Sequence, residues 1–377
     1  MTTTLPDGTS AVATYTNGLM SAQEYFASDG GDPVTSTRMT YDGFDRVATS
    51  TDSRTGTTTM DTYLESGSVL SVEDPGGRNT AFTYDEMGRT LSTDLPDSLD
   101  ADGGILPNIT RTSYTATGQV AATWGAQTNP TLRIYDSLER LTELRTYQNL
   151  ALNTEPEAST PGSAKTTWLF SPKRGFLLGK RDATDKGADY TYTPAGRLAT
   201  RTWSRGITTT YSYDAGMLVG TGYSDDTPGV TRTYDNFGRP VQTTNTVSTC
   251  DYVYDPATLV LDTETVSHDL DSSGTPDFSR TIDRKQDNLL RPTGYLLKSG
   301  TSTRQETTYT YDTTGRPGTA ADAADTFTYS YVAKSNLLKS VTGPAHTVTN
   351  NYDSTRNVLL GKENKAGTDA VSNYIYS

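Results

Sequence analysis

Short runs of alternating residues recur along the chain, and the same turn closes each of them. Thr307–Tyr311 reads TTYTY and Thr210–Tyr213 reads TYSY, with Tyr at every second position and Thr or Ser between. A period of two is the signature of a half-buried strand. No window of a dozen residues carries a 3.6-residue period, so the predicted class is all-β. Three runs end on a well-spelled Tyr-Asp-x-x-Gly-Arg: Tyr84-Asp85 with Gly88-Arg89, Tyr234-Asp235 with Gly238-Arg239, and Tyr311-Asp312 with Gly315-Arg316. Asp suits the first corner of a type I turn, where its carboxylate accepts backbone N–H groups two residues on. Gly supplies the positive φ of a turn that ends in a bulge. Arg opens the return strand, and an apolar residue follows within two positions, as at Val47, Leu91, Leu141, Leu198 and Val241. The Tyr ring is expected to pack on that side chain across the pair.

Complete and degenerate copies space their tyrosines near 21 residues apart, as from Tyr63 to Tyr84 and from Tyr192 to Tyr213 to Tyr234. Two longer gaps, Tyr135 to Tyr192 and Tyr254 to Tyr311, both equal 57, and Tyr135 lies 119 residues before Tyr254. The spacing predicts tandem antiparallel hairpins in one continuous, spiralling sheet, grouped into larger units of four hairpins. Residues 1–134 carry irregular hairpins, 135–253 the first regular unit, 254–373 the second, and 374–377 the start of a further, incomplete repeat. Propeller blades have periods near 40, and solenoid coils lack this turn. The stretch 153–165, rich in Pro and acid, reads as a surface loop.

Composition fits a wet sheet. The 377 residues are 33% hydrophobic, with 24 Tyr against 8 Phe, and the mean hydropathy is −0.60. Tyr and Thr suit a pleated surface that is partly solvated. A net charge of −13 argues against nucleic acid, whose recognition needs basic patches, and against an anionic membrane surface. A single cysteine, Cys250, excludes an internal disulfide framework. The opening MTTTLPDGTS has no basic and apolar regions of a signal peptide. No apolar run reaches the length of a spanning helix.

The copies at Tyr84–Leu91 and Tyr234–Arg239, repeated in ten or more places at a shared period, resemble the YD repeat of the rearrangement-hotspot (RHS) family. That family includes bacterial polymorphic toxins, the shell subunits of Tc insecticidal toxins, wall-associated proteins and the teneurins. The resemblance runs over essentially the whole chain. It implies long hairpins that spiral into a hollow shell or β-array, often around a toxic segment, in a large secreted or cell-surface bacterial protein. It implies a structural, non-enzymatic role. The expected partners are the remainder of a longer RHS protein or identical chains, together with an enclosed toxin or effector, without nucleic acid or membrane insertion. Two features depart from the family. The self-cleaving, Asp- and Pro-rich core block is not found, since Asp74-Pro75-Gly76-Gly77 lies inside an ordinary repeat. The last residues, Asn373 to Ser377, match Asp251 to Asp255, the opening of a repeat. Tyr374 and Tyr376 are therefore the expected assembly end, and a filament or adhesion protein that polymerises through open hairpins is the alternative.

Candidate chemistry is sparse. His268 and His346 stand in no convergent set, and Cys250 precedes an acid rather than a base. Asp269, Asp271, Ser273 and Asp277, with Gly274 between, have calcium-loop spacing, but Arg280 stands where the bidentate Glu belongs. Calcium is the one cofactor candidate. Acidic pairs such as Asp225-Asp226 are frequent among 45 acidic residues and define no glycosidase site. Trp124, Trp168 and Trp203 are the first candidates for a second alternative, a carbohydrate-binding surface. No catalytic residue is expected.

Overall fold

The computed structural model describes residues 1–99, 105–126, 128–151, 153–270 and 273–376. Among the described residues there are 32 strands and no helix. Every strand pair whose register is described is antiparallel and joins neighbours in sequence, as in Thr35–Tyr41 with Val47–Asp52, or Val230–Tyr234 with Pro240–Thr244. Two compact units emerge. One comprises Met1–Asn79, Val253–Val266 and Phe278–Ser377, and the other Thr80–Tyr252 and Ser267–Asp277.

The motif builds one end of each hairpin. At Tyr84–Arg89 the Gly88 N–H donates to the Asp85 carbonyl (3.0 Å) and the Asp85 N–H to the Arg89 carbonyl (2.9 Å). Gly88, Gly238 and Gly315 hold φ of 78°, 77° and 77°, in the left-handed region that glycine adopts without a steric penalty. The register slips by one residue immediately before each motif tyrosine, so the predicted bulge is present. It also fixes the tyrosine's partner as the residue directly after Arg. Tyr41 faces Val47, Tyr135 faces Leu141 and Tyr192 faces Leu198, as expected. Tyr84 and Tyr234 instead face Thr90 and Pro240, not Leu91 and Val241, because the slip leaves no room for a further offset.

A second feature of the repeat lies one residue before the tyrosine. Hydroxyls pair across the strands at Thr40 and Thr49 (2.6 Å), Thr83 and Ser92 (2.6 Å), Thr191 and Thr200 (2.6 Å), and Thr310 and Thr319 (2.7 Å). Neighbouring residues on a strand point to opposite faces. The repeat therefore carries tyrosines on one face and a ladder of hydroxyl pairs on the other, which accounts for its richness in Thr.

Little of the molecule is a core. Among the described residues, the cluster of buried apolar residues is small: Ala122, Trp124, Leu132 and Tyr147, with Ile134 and Leu150 packed against it. The chain exposes 22785 Å², against roughly 15,000 Å² for a globular protein of its mass. Stability must therefore come mainly from strand pairing and from contacts between successive hairpins.

Several degenerate turns place a side chain where the motif has glycine. Glu139 (φ 63°), Asp185 (φ 60°) and Leu290 (φ 62°) are held in the left-handed region. Leu290→Gly should raise stability by about 0.5–1 kcal/mol, and Gly238→Val should lower it by about 1 kcal/mol or more. Around Gly238 there is space, since an added Cβ would meet only Met217 Sδ at 3.7 Å. The loss would thus report the backbone. Thermal melts of the two variants check the opposite signs.

Candidate functional site

The polar residues of the motif converge on one another at the turn end of each hairpin. Asp85 Oδ1 accepts the N–H groups of Met87 (2.9 Å) and Arg89 (2.9 Å), and its Oδ2 accepts Arg89 Nε (2.6 Å). Asp235 does the same with Phe237, Arg239 and Arg239 Nε (2.9, 2.9 and 2.7 Å). Asp312 repeats it with Thr314, Arg316 and Arg316 Nε (2.9, 2.9 and 2.8 Å). One carboxylate thereby closes the turn with one oxygen and orients a guanidinium with the other.

The oriented arginine reaches the next hairpin. Arg89 lies over the ring of Tyr114 (4.5 Å to the centroid), Arg46 over Tyr63 (4.3 Å), Arg291 over Tyr311 (4.5 Å) and Arg316 over Tyr331 (4.1 Å). The tyrosine answers in the opposite direction. Its hydroxyl donates to the carbonyl of the residue after the preceding arginine: Tyr114 to Thr90 (2.9 Å), Tyr213 to Leu198 (3.0 Å), Tyr311 to Pro292 (2.7 Å) and Tyr331 to Pro317 (2.9 Å). Tyr234 donates likewise to Leu218 (2.7 Å). Tyr, Asp and Arg are thus the parts of a seam that runs from hairpin to hairpin. Cation–π contact and hydrogen bond each contribute on the order of 1 kcal/mol or less, but the pair recurs at Arg46 and Tyr63, Arg89 and Tyr114, Arg291 and Tyr311, and Arg316 and Tyr331.

The sequence pattern counts Tyr, Asp, Gly and Arg, as in Tyr84, Asp85, Gly88 and Arg89, among the structural turn residues, with Arg opening the return strand. The seam role of Arg was missed, although its signal was in the chain: the cation is invariant in well-spelled copies and becomes Gln119 or Lys186 in weaker ones. Glycine has a second reason to be there. An added Cβ at Gly216 would sit 2.8 Å from Arg197 Nη2, and one at Gly118 would sit 3.5 Å from Arg89 Nη1. The turn of one hairpin is where the arginine of the previous hairpin passes.

The seam is acid-sensitive in a definite direction. Hydrogen bonds from the Arg89 N–H, the Arg89 side chain and the Met87 N–H hold the Asp85 carboxyl below its ordinary value of 3.8 against some desolvation. The side chains of Arg46 and Arg140 lead in lowering Asp42 and Asp136 in the same way.

Two of the acidic sequence candidates bind the backbone of their own turn. Asp269 accepts the N–H groups of Ser273 (3.0 Å) and Gly274 (2.7 Å), and Asp277 Oδ2 accepts the Leu270 N–H (2.6 Å). These carboxylates order the acidic turn itself. Asp271 lies outside the described residues. Among the described residues, no group of three or more His, Cys, Asp and Glu stands close enough to hold a metal ion. Trp124 is buried in the small core, Lys180 sits over Trp168 (5.4 Å) and Arg201 over Trp203 (3.4 Å). Tyr374 lies in the strand Asp369–Ile375, which pairs with Leu359–Ala366, and the Tyr376 N–H donates to the Leu360 carbonyl (2.8 Å).

Solved structures share this arrangement of strands. A Photorhabdus luminescens Tc holotoxin pore carrying a TccC3 mutation overlays 99% of the chain with a TM-score of 0.57 at 17% identity. This chain has the RHS, or YD-repeat, fold. A TcdB2–TccC3–TEV crystal structure covers 98% of it with a TM-score of 0.49 at 11% identity, and a TcdB2–TccC3 structure covers 97% with 0.41 at 14%. The chain spans about a fifth to a quarter of those solved chains, 19%, 22% and 25% respectively. No protein-family model matches the sequence, and no curated protein matches it.

Replacing Tyr331 by Phe should lower stability by about 0.5–1.5 kcal/mol through the lost hydrogen bond to Pro317. A double-mutant cycle pairing Tyr331→Ala with Arg316→Ala should show a coupling of about 0.5–1 kcal/mol. Denaturant melts of the four chains measure both. Because the folded carboxyls titrate below 3.8, the stability they contribute is fully present above about pH 4 and lost as the pH falls through the folded values. Melting temperature should stay nearly level from pH 7 to 5 and drop below pH 4.

Proposed function

We propose that this chain is a non-catalytic structural array, a segment of a large secreted or cell-surface bacterial RHS protein that encloses or presents a toxin or effector. The observation that carries this reading is the seam. At Tyr311–Arg316 the Asp312 carboxylate binds the turn, and the Tyr311 hydroxyl and Arg316 guanidinium bind the adjoining hairpins, so the repeated residues serve cohesion. The shared fold supports the same reading, since the overlaid structure is described as a toxin pore. A sheet with little core is also suited to having solvent, or a partner, on both faces. The partners are the remainder of such a protein and its cargo.

Assembly into a filament is the second reading, and one strand favours it. On the strand Asp369–Ile375, Val371, Tyr374 and Ile375 are 61%, 55% and 83% exposed. An exposed strand edge templates further pairing.

Negative-stain electron microscopy of the purified chain over a range of concentrations separates the two. Discrete particles of constant size are expected for a shell segment. Fibres with a regular axial repeat that lengthen with concentration would replace the container reading with the polymer, and Tyr374→Pro should then abolish them.

A further inference from the structure

The hairpins at the two ends of this sequence belong to the same compact unit, yet none of the described strand pairings joins them. Two polar struts do. Arg54 Nη1 donates to Asn357 Oδ1 (2.7 Å) and to the Arg356 carbonyl (3.3 Å), and Arg54 Nη2 donates to the Asp353 carbonyl (2.7 Å), across separations of 299 to 303 residues. Ser28 donates from both its N–H (2.8 Å) and its Oγ (3.0 Å) to the Thr313 carbonyl, 285 residues away.

The two struts share one design. The accepting turns, Asp312–Arg316 and Asp353–Arg356, are both tyrosine-led turns of the repeat. The donors come from connections at the other end of a hairpin. A carbonyl at such a turn lies outside any strand ladder and needs a donor when it is covered. An arginine fork can serve several acceptors at once. Each side of the Arg54 strut is stiffened by its own carboxylate. Asp52 Oδ1 accepts the Arg54 and Thr55 N–H groups (2.9 and 3.0 Å), and Asp353 Oδ1 accepts those of Thr355 and Arg356 (2.8 and 3.0 Å). Beside the Ser28 strut lies a cavity of about 490 Å³, walled by Leu5, Tyr25, Phe26 and Val34 from the early segments and by Thr314 and Asn336 from two late turns.

We propose that these struts form a latch, a closure between early and late hairpins that opens locally while the hairpins themselves stay folded. Opening breaks five hydrogen bonds and no described strand pairing. It therefore belongs to the low-energy, sub-global openings of a protein rather than to its unfolding. The cavity has walls from both sides of the latch and exists only in the closed state. The latch gives an array of similar hairpins a specific register for closure, because Arg54 donates to the Asp353–Asn357 turn and Ser28 to the Asp312–Arg316 turn.

Hydrogen exchange of the full chain and of Arg54→Ala, read by mass spectrometry, tests this. Amides of residues 26–30 and 353–357 should exchange about tenfold faster or more in the variant, while the strands Leu198–Trp203 and Val230–Tyr234 keep their protection. Joining Ser28→Cys to Thr313→Cys by a disulfide in the Arg54→Ala chain should restore slow exchange at 26–30. Equal acceleration in all strands, or no change at 353–357, would overturn the latch. Should Arg54→Ala not fold, the same cysteine pair in the otherwise unaltered chain decides: bond formation with a raised melting temperature supports the closure, and failure to form the bond, or a lowered melting temperature once it forms, refutes it.

Discussion

A single carboxylate organises the turn of each well-spelled hairpin in this molecule. An aspartate at the corner of a turn is ordinary, and its usual task is to satisfy two backbone N–H groups. Here its second oxygen also holds a guanidinium in place, as Asp85 holds Arg89 and Asp312 holds Arg316. The arginine cannot wander, so it lies on the next tyrosine ring, and the tyrosine hydroxyl returns a hydrogen bond to the backbone beside the arginine. Without the aspartate, the contact between hairpins would have to order a long, exposed cation, at a loss of rotamer entropy comparable with the gain.

The consequence is a protein that coheres by neighbours. Where a globular domain gathers its apolar residues centrally, this one keeps only a small cluster around Trp124 and Tyr147. The remainder depends on antiparallel pairing, on threonine hydroxyls that meet across strands, and on the seam. Such energetics approximate a one-dimensional chain of similar interactions, in which each hairpin is stabilised by those beside it. That also accounts for tolerance of weak copies. A turn with Glu139 or Leu290 in the left-handed region bears strain that its neighbours offset.

A chain of equal interactions has no intrinsic end and no intrinsic register, and both must be supplied by exceptions. The Arg54 and Ser28 contacts are such exceptions, since they use residues outside the repeat's spelling and join segments far apart in sequence. Whether an array of this kind contains a cargo or extends as a polymer is decided at places like these rather than in the repeats.

Much of the structure was written locally, and for that reason was legible. Alternation gave the strands, Asp85 and Gly88 gave the turn, and the recurrence of Tyr gave the hairpin period. Each depends on backbone geometry within a few residues. The part of Arg89 in the seam was less legible, because its partner, Tyr114, lies in the following hairpin and only the repeat's constancy hinted at a contact. The offset of Tyr84 onto Thr90 rather than Leu91 needed the bulge to be placed to the residue. Arg54, Asn357 and Ser28 carried no signal at all. They belong to no motif, and their meeting depends on how the twist and length of many intervening strands accumulate, a sum that no local pattern contains. The sequence by itself determined the hairpin, its turn and its repetition. Only the tertiary structure decided which hairpins, some three hundred residues apart, would touch.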